Sequence, residues 1–377
     1  LQRGTETAVS GRTVMVRDGT YTGFLNKYVG AAGKALTVES ESGAASTIID
    51  CENEGCAFKF TDSETASCIL DGFTVKNGAG AISGTYGGGI YLKNSSPLIR
   101  NCTIEDCKTG TGGGIYLESS TAVITNCVLQ NNEGTTFGGG IHCATGAAPS
   151  IIACTIEENS SGLGGGLSSL PGANPLLTGT AFSGNTATNA LGGGLYCDSG
   201  ITVTNSAFTG NESSSMGGGL YFGTTVTGAL IYASTIEANT AEDTGGGIFV
   251  SAGKVLVDRC AILENGAGVS GGGVQATDAL TLRNCNVAAN HASLDGGGIL
   301  VADSGALVEN CTVVGNNIDT VDLPESGAGI SLTANAAIRN TIVWDNMRGE
   351  QVYTNSASPS ISYCCIENWT TNNNNIT

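Results

Sequence analysis

Three consecutive glycines followed by an aliphatic residue recur along the chain at intervals close to 26 residues. The triplets begin at Gly87, Gly112, Gly138, Gly164, Gly192, Gly217, Gly245, Gly271 and Gly296, and a Gly-Ala-Gly variant begins at Gly327. Their successive spacings run from 25 to 31 residues, and such a period marks a repeat protein with one structural unit per period. Because glycine does not fall at every third position, a collagen helix is excluded.

Two further columns of residues repeat with the triplets. The first column holds only small residues: Cys102, Cys127, Cys154, Thr180, Ser206, Ser234, Cys260, Cys285, Cys311 and Thr341. The second column begins with Cys107 and continues as Asn132, Asn159, Asn185, Asn211, Asn239, Asn265, Asn290, Asn316 and Asn346. A side-chain amide both donates and accepts, so asparagines stacked at strand spacing are able to form a ladder. We therefore predict parallel, in-register turns.

Apolar residues alternate with polar ones within each unit, which is the pattern of short, half-buried strands. In the first full unit, Ile90 and Leu92 share one face, and Cys102 and Ile104 share another. Three such strands per unit, with no helical pattern between them, are typical of a β-solenoid. The sequence thus predicts an all-β fold, a right-handed parallel β-helix of roughly 12 to 13 coils, each of roughly 25 to 26 residues.

The two ends of the chain depart from the repeat. Residues 1–50 contain no triplet, and we expect an N-terminal cap and the first irregular coils there, because a terminal repeat must shield the core from water. The parallel β-helix is expected over residues 51–369. Residues 370–377 are rich in asparagine, which is typical of a tail or linker.

The chain is acidic, with a formal net charge of −18 at pH 7. Such a surface repels phosphate backbones, which excludes nucleic acid as a partner. No run of 18 apolar residues occurs, so no membrane-spanning helix is expected in this chain. The partners that remain are a glycan, a cell-surface protein, or further copies of the chain in a fibre.

The fourth residue after each triplet start is expected to face outward, and it is often aromatic. The aromatic and histidine residues at this position are Tyr91, Tyr116, His142, Tyr196, Tyr221 and Phe249. Rings spaced along a flat, glycine-rich sheet are able to stack on sugar rings or on a partner protein, so these are candidate ligand-binding residues. The alternative is that the stacked rings only stabilise the sheet.

A second group of outward residues is acidic. Glu105, Asp106, Glu157 and Glu158 are candidate ligands for Ca²⁺, because carboxylates from adjacent coils are able to share a cation. The alternative is a solvated acidic surface that keeps the protein soluble. No other cofactor is expected.

Most of the 14 cysteines fall on inward faces, where they alternate with serine and threonine as small core residues. Cys51, Cys56, Cys107 and Cys365 lie outside that pattern and are the better candidates for disulfides. No Cys-x-x-Cys pair occurs, so a zinc site is not expected.

No catalytic residues are nominated from the repeats. The chain has only two histidines, and its outward Arg100, Arg283 and Arg339 belong to coils that are far apart. Polysaccharide cleavage needs paired carboxylates or a base with charge-neutralising groups. We therefore expect a protein that is not an enzyme, with a polysaccharide lyase or glycoside hydrolase as the alternative.

The repeats resemble those of known surface proteins. Gly-Gly-Gly-Ile/Leu from residue 87 onward, with Phe182-Ser-Gly-Asn185 and Phe208-Thr-Gly-Asn211, is similar to the right-handed parallel β-helix repeat proteins of bacterial surfaces. More distantly, the motifs resemble the passenger domains of the polymorphic outer-membrane adhesins of chlamydiae, whose third motif residue is alanine rather than glycine. The resemblance implies an extracellular or cell-surface location.

These patterns favour an extracellular β-helix with a structural or adhesive role that assembles with copies of itself. An uncapped last coil would support assembly, because open β edges template further pairing. The alternative is a polysaccharide-binding or polysaccharide-degrading β-helix protein that uses the tyrosine-lined face.

Overall fold

The computed structural model describes residues 1–81, 85–319, 326–355 and 357–369, and the expected tail 370–377 lies outside them. Within that described part the chain is an all-β parallel solenoid of about 13 turns, which confirms the fold predicted from the repeats. It divides into two compact units, Leu1–Thr188 and Asn189–Thr377. Four parallel sheets, named A to D, supply the strands of both units.

In the first unit the strands of each sheet follow one another at intervals of one coil. Sheet A contains Thr13–Val16, Thr37–Ser40, Ile69–Asp71, Leu98–Arg100, Val123–Thr125, Ser150–Ile152 and Leu176–Thr178. Sheet B contains Gly19–Tyr21, Thr47–Asp50, Thr74–Lys76, Thr103–Glu105, Val128–Gln130, Thr155–Glu157 and Ala181–Ser183. Sheet C contains Phe58–Phe60, Ile90–Lys93, Ile115–Glu118, Ile141–Cys143 and Leu167–Ser169. Sheet D contains Lys108–Thr111, Glu133–Phe137, Ser160–Leu163 and Thr186–Leu191, the last of which begins in this unit.

The second unit repeats this arrangement. Sheet A contains Ile201–Thr204, Ala229–Tyr232, Val255–Asp258, Leu280–Arg283, Leu307–Glu309, Ala337–Arg339 and Ser360–Ser362. Sheet B contains Ala207–Thr209, Thr235–Glu237, Ala261–Leu263, Asn286–Ala288, Thr312–Val314, Ile342–Trp344 and Cys365–Ile366. Sheet C contains Leu195–Cys197, Leu220–Phe222, Ile248–Val250, Val274–Ala276, Ile299–Val301, Gly327–Leu332 and Glu350–Thr354. Sheet D contains Glu212–Ser213, Thr240–Ala241, Gly266–Ala267, His291–Ala292 and Asn317–Ile318.

The core of each unit is filled by the inward residues of these short strands. In sheet B, Ile104, Leu129 and Ile156 stand in register and are fully buried, as the alternation predicts. Sheet D is a fourth sheet where the alternation predicted three. Its strands in the second unit have two residues each and bury small side chains such as Ala267 and Ala292, which leaves no alternation to detect.

Residues with positive φ form the corners of the coils. Between sheets A and B, Asn101 has a φ of 54°, and between sheets B and D, Asp106 has a φ of 53°. Asparagine and aspartate tolerate this left-handed region better than other residues that carry a Cβ. The residues that follow these corners, Cys102 and Cys107, are buried in the core.

The asparagine column forms a buried hydrogen-bonded ladder in each unit. Asn239 Nδ2 donates to Asn265 Oδ1 over 2.9 Å, and Asn265 Nδ2 donates to Asn290 Oδ1 over 2.9 Å. The backbone N–H groups of Asn239 and Asn265 donate to the same two oxygens over 3.0 Å. The members are Asn132, Asn159 and Asn185 in the first unit and Asn211, Asn239, Asn265, Asn290, Asn316 and Asn346 in the second. Because each buried amide is paired, its desolvation is compensated.

Separate features close the N-terminal helix and the asparagine ladder. Lys34 Nζ donates to three carbonyl oxygens at the end of the helix Gln2–Thr7, at 2.6 to 3.0 Å, where a cation is favourable. In the last coils Gln351 replaces the next asparagine, and its Oε1 accepts from Asn346 Nδ2 over 2.6 Å.

Among the described residues, none of the helical segments has the length and apolarity needed to cross a bilayer.

The cysteines are free thiols. Cys51, Cys56 and Cys107 are buried and form none of the disulfides for which they were the better candidates, while Cys365 is half-buried. Burial raises the pKa of Cys51 to about 12, which keeps the thiol protonated and poorly reactive. In the small-residue column, Cys127 Sγ donates to the carbonyl oxygen of the residue two positions earlier, as hydroxyls in that column also do. Cysteine is therefore a small core residue in this column.

Candidate functional site

The outward aromatic residues of sheet C form two short stacks, one in each unit. The first stack consists of Tyr91, Tyr116 and His142, and the second stack consists of Tyr196, Tyr221 and Phe249. Ring centroids within the first stack are 5.3 and 5.4 Å apart, and both separations in the second stack are 5.5 Å. Parallel in-register pairing places each ring directly beside the ring of the next coil. The structure therefore brings together, within each unit, the residues that the triplet spacing singled out.

These rings are much less accessible than their outward positions suggest. Tyr91 is 2% exposed and Tyr116 is 6% exposed. Within the stack each ring face is covered by the neighbouring ring, with interplanar angles of 6° and 24°. A Cβ on Gly87 would lie 3.0 Å from the Cβ of Tyr91, so the backbone of the triplet packs against the base of the side chain. Stacking of a sugar on a ring needs an open ring face, so the internal faces of the stack are closed to a ligand.

Two further aromatic residues flank the first stack, and the repeat pattern did not single them out. The Tyr86 ring lies 4.9 Å from the ring of Tyr116, and the Phe137 ring lies 5.6 Å from that of His142. Both residues immediately precede a glycine triplet. That position is the sequence signal that could have identified them, because a column next to the triplets must lie beside the outward column of sheet C.

A polar group of three side chains lies at the edge of the first stack. Glu118 accepts a hydrogen bond from the Tyr116 hydroxyl over 3.1 Å and forms a salt bridge with Lys93 over 2.8 Å. Strand pairing brings the two charges together, since Lys93 and Glu118 stand opposite each other in adjacent coils. The Lys93 side chain is 43% exposed and that of Glu118 is 30% exposed, so both reach solvent. Tyr116, Glu118 and Lys93 are called the Tyr–Glu–Lys group below.

Burial and the ion pair set the protonation states of Tyr116 and Lys93. Burial raises the pKa of Tyr116 well above its ordinary value, and the charge of Glu118 raises it further. The hydrogen bond from Lys93 to Glu118 raises the pKa of the lysine. At neutral pH Tyr116 is therefore a protonated hydroxyl donor and Lys93 is a cation.

The second stack has a polar neighbour of its own. Tyr196 is half-buried, and burial followed by the charge of Asp198 raises its pKa to about 12. Asp198 Oδ1 accepts hydrogen bonds from the backbone N–H and the hydroxyl of Thr225 over 2.7 and 2.9 Å. The aspartate is thus fixed by a loop of the adjacent coil. Tyr221 and Phe249 are buried.

His142 ends the first stack as a buried, neutral imidazole. It is 2% exposed, and its Nδ1 lies 2.7 Å from the Ser168 hydroxyl. Burial lowers the pKa of His142 to about 3, because the imidazolium would have to leave water. At neutral pH the ring therefore carries no charge that could balance an anionic substrate.

The buried histidine predicts an acid-dependent loss of stability. The pKa of His142 is near 3 when folded and near 6.5 when unfolded, so the unfolded chain binds the extra proton and stability falls as the pH drops through this range. Between pH 7 and pH 4 we expect the titration of His142 to lower the free energy of unfolding by roughly 3 kcal/mol. Urea denaturation at both pH values should show a smaller loss for His142→Gln. An unchanged loss in His142→Gln would contradict the prediction.

The acidic residues considered as Ca²⁺ ligands lie on or beside the outer face of sheet B. Glu105 and Glu157 are two coils apart because Gln130 stands between them, and Gln130 Nε2 donates to Glu105 over 2.8 Å. Asp106 and Glu158 occupy exposed corners with φ of 53° and 54°. Within the described ranges, no three His, Cys, Asp or Glu side chains converge in a way that would hold a metal ion. Ca²⁺ binding stays a prediction.

Comparison with known families gives one broad match. The family described as right handed beta helix region matches residues 9–164, 139–335 and 227–376. No curated protein sequence matches the chain significantly.

Distant similarities to solved structures are also found. The catalytic domain of a GH87 α-1,3-glucanase in complex with nigerose is 12% identical with a TM-score of 0.45, and the match covers 94% of this chain and 64% of that domain. The A-module of a mannuronan C-5 epimerase from Azotobacter vinelandii is 15% identical with a TM-score of 0.39, covering 96% of this chain and 92% of the module. A pectate lyase is 12% identical with a TM-score of 0.29, and the match covers 97% of this chain and 72% of the lyase. The chain thus spans less than two thirds of the glucanase domain.

Proposed function

The chain belongs to the right-handed β-helix family, and we propose that it binds a polysaccharide through the outer surface of sheet C in its first unit. The observation that carries the proposal is the Tyr–Glu–Lys group, in which Glu118 is held by Tyr116 and Lys93 at once. Sugar hydroxyls both donate and accept hydrogen bonds, so a fixed set of donors and acceptors with access to solvent suits them. The buried stack beneath keeps this set in place before a ligand arrives, which lowers the entropic cost of binding.

Neighbouring residues extend the proposed binding surface. Lys59 stands in register with Tyr91 on the outer face of sheet C and is half-buried. Tyr86 is half-buried beside Tyr116, and its ring offers an apolar flank for a sugar. In this proposal the stacked rings support the surface, and the polar group and Tyr86 contact the ligand.

The proposal predicts that Lys93 contributes directly to binding. Isothermal titration with a panel of soluble neutral glucans and uronate polymers should identify at least one ligand for the wild type. Lys93→Ala should weaken that interaction by about tenfold or more, because it removes a solvent-accessible donor and frees Glu118 to move. Release of new chain ends in the same mixtures would show whether binding leads to cleavage.

A matched control is available on sheet D. Lys108 forms a salt bridge with Glu133 over 2.7 Å, and its side chain is 66% exposed. Lys108→Ala removes the same kind of surface ion pair outside the proposed surface and should leave affinity unchanged. No binding by any polysaccharide of the panel, or equal losses in the two variants, would contradict the proposal.

The structural or adhesive role, the extracellular location and the fibre that the sequence pattern favours stay predictions. These predictions concern the location and assembly of the protein, and the proposed binding surface does not depend on them. Immunolabelling of intact cells that express the full-length protein would test the surface location directly.

A further inference from the structure

The repeat breaks in the last coil of the second unit, at the position of the glycine triplet. Gly349-Glu350-Gln351 precedes Val352 there, in place of three small residues before an aliphatic one. Val352 stands in register with Ile330, the residue that follows the Gly-Ala-Gly variant. The last coil therefore carries two large polar side chains where the triplets of the preceding coils have glycine or alanine.

The asparagine column breaks in the same coil. Val343 pairs with Ile366 of the last coil, and the residue three positions later is Asn346 in one coil and a tryptophan, Trp369, in the next. Asn346 is already paired with Gln351, so the ladder does not use this tryptophan. The indole Nε1–H of Trp369 is buried and has no hydrogen-bond partner within the described residues. A buried donor left unpaired costs free energy, which a ligand atom that accepts from it would recover.

A cavity of about 450 Å³ lies where the two breaks meet, lined by residues 349–352 and 367–369. Its volume is within the range of sites for small ligands. The carboxylates of Glu350 and Glu367 belong to this lining together with the indole of Trp369. Neither carboxylate forms a salt bridge with a cation in the described part of the chain, and Glu367 Oε2 accepts from a backbone N–H over 2.9 Å. The cavity thus combines one unpaired donor with several acceptors.

We propose that this cavity binds a single neutral sugar unit, independently of the Tyr–Glu–Lys group in the first unit. A hydroxyl group both donates and accepts, so one sugar is able to donate to Glu350 and Glu367 and to accept from the indole of Trp369. The indole ring also supplies an apolar surface for a sugar ring. A simple organic cation would satisfy the carboxylates and leave the indole N–H unpaired. An anion would be repelled by both carboxylates.

The fluorescence of Trp369 itself reports on the cavity in the full chain. The chain has two tryptophans, and Trp344 is 41% exposed on sheet B, so Trp344→Phe leaves Trp369 as the only reporter and should keep the fold. Titration of this variant with glucose, galactose and mannose up to about 100 mM should shift the Trp369 emission, with a millimolar dissociation constant for at least one sugar. Glu350→Gln in the same background should weaken that binding by about tenfold, because hydrogen bonds to a charged acceptor are the stronger ones.

Glu212→Gln is the matched control, because Glu212 is an exposed glutamate of sheet D in the same unit. It should leave the sugar affinity unchanged, and so should Lys93→Ala, which tests the surface proposed on the first unit. An emission that none of the three sugars shifts, an equal affinity for glucuronic acid, or equal losses in Glu350→Gln and Glu212→Gln would overturn the proposal. A shift caused by tetramethylammonium and by none of the sugars would also overturn it and assign the cavity to a cation.

Discussion

Replacing Gly246 with alanine should lower the free energy of unfolding by about 4 kcal/mol or more. Gly246 is the middle residue of a triplet, and a Cβ there would meet the backbone carbonyl oxygens of Gly266 and Gly272. Gly272 is fixed by the adjacent coil, where its carbonyl accepts from the N–H of Gly247 over 3.1 Å. Because the obstruction is backbone, it cannot rotate away as a side chain would. Thermal and urea denaturation followed by circular dichroism would measure the loss.

Gly228→Ala is the control for this prediction. A Cβ on Gly228 has no atom within 4 Å, and its φ lies outside the left-handed region. The substitution should therefore be neutral or stabilise the protein by up to about 1 kcal/mol, through the unfolded chain. If the free energy of unfolding of Gly246→Ala lies within about 1 kcal/mol of the wild-type value, the coils do not approach each other as closely as described.

The three glycines of a triplet are needed for three different reasons. Gly245 has a φ of 66°, in the region that residues with a Cβ rarely adopt. Gly246 lies against the carbonyl oxygens of other turns, and a Cβ on Gly247 would lie 3.0 Å from the amide nitrogen of Asn265. The triplet and the asparagine column therefore recur together because they are in contact. Turn geometry alone accounts for the first glycine and not for the other two.

The fold was predictable because its determinants are local and repeated. Ile104 and Leu129 each alternate with polar neighbours along their own strands. Their inward orientation therefore follows from strand geometry alone. The access to Tyr91 and Tyr116 was not predictable in this way. It depends on Tyr86 and on the backbone of Gly87, which come from a different part of the coil.

The binding surface illustrates the same limit. Lys93 and Glu118 have the spacing of one repeat, so their pairing was visible in the sequence. The bond from Tyr116 to Glu118, which turns an ordinary surface ion pair into a fixed group, depends on side-chain rotamers. Sheet D also escaped detection, because strands such as Gly266–Ala267 are too short to show a period. Neither a rotamer-dependent bond nor a two-residue strand leaves a local pattern in the sequence.

Replacing Asn265 with leucine should destabilise the second unit by roughly 4 kcal/mol, although leucine is of similar size and suits a core. The substitution leaves the backbone N–H of Asn239 without its acceptor at 3.0 Å and the carbonyl oxygen of Ile236 without its donor at 2.9 Å. It also removes the amide-to-amide bonds on both sides of the rung. Each buried group left unpaired costs about 1 to 3 kcal/mol.

The ladder makes a second, local prediction that a simple loss of packing would not. Amide hydrogen exchange at Asn239 should accelerate in Asn265→Leu more than exchange at core strand positions, since that N–H loses its own acceptor. Asn174→Leu, at an exposed asparagine outside the ladder, should change neither stability nor exchange by a measurable amount. If Asn265→Leu and Asn174→Leu unfold alike, the asparagines are filling space, and the amide ladder does not hold the coils in register. If only Asn265→Leu is affected, the ladder is what selects asparagine over leucine at a buried position.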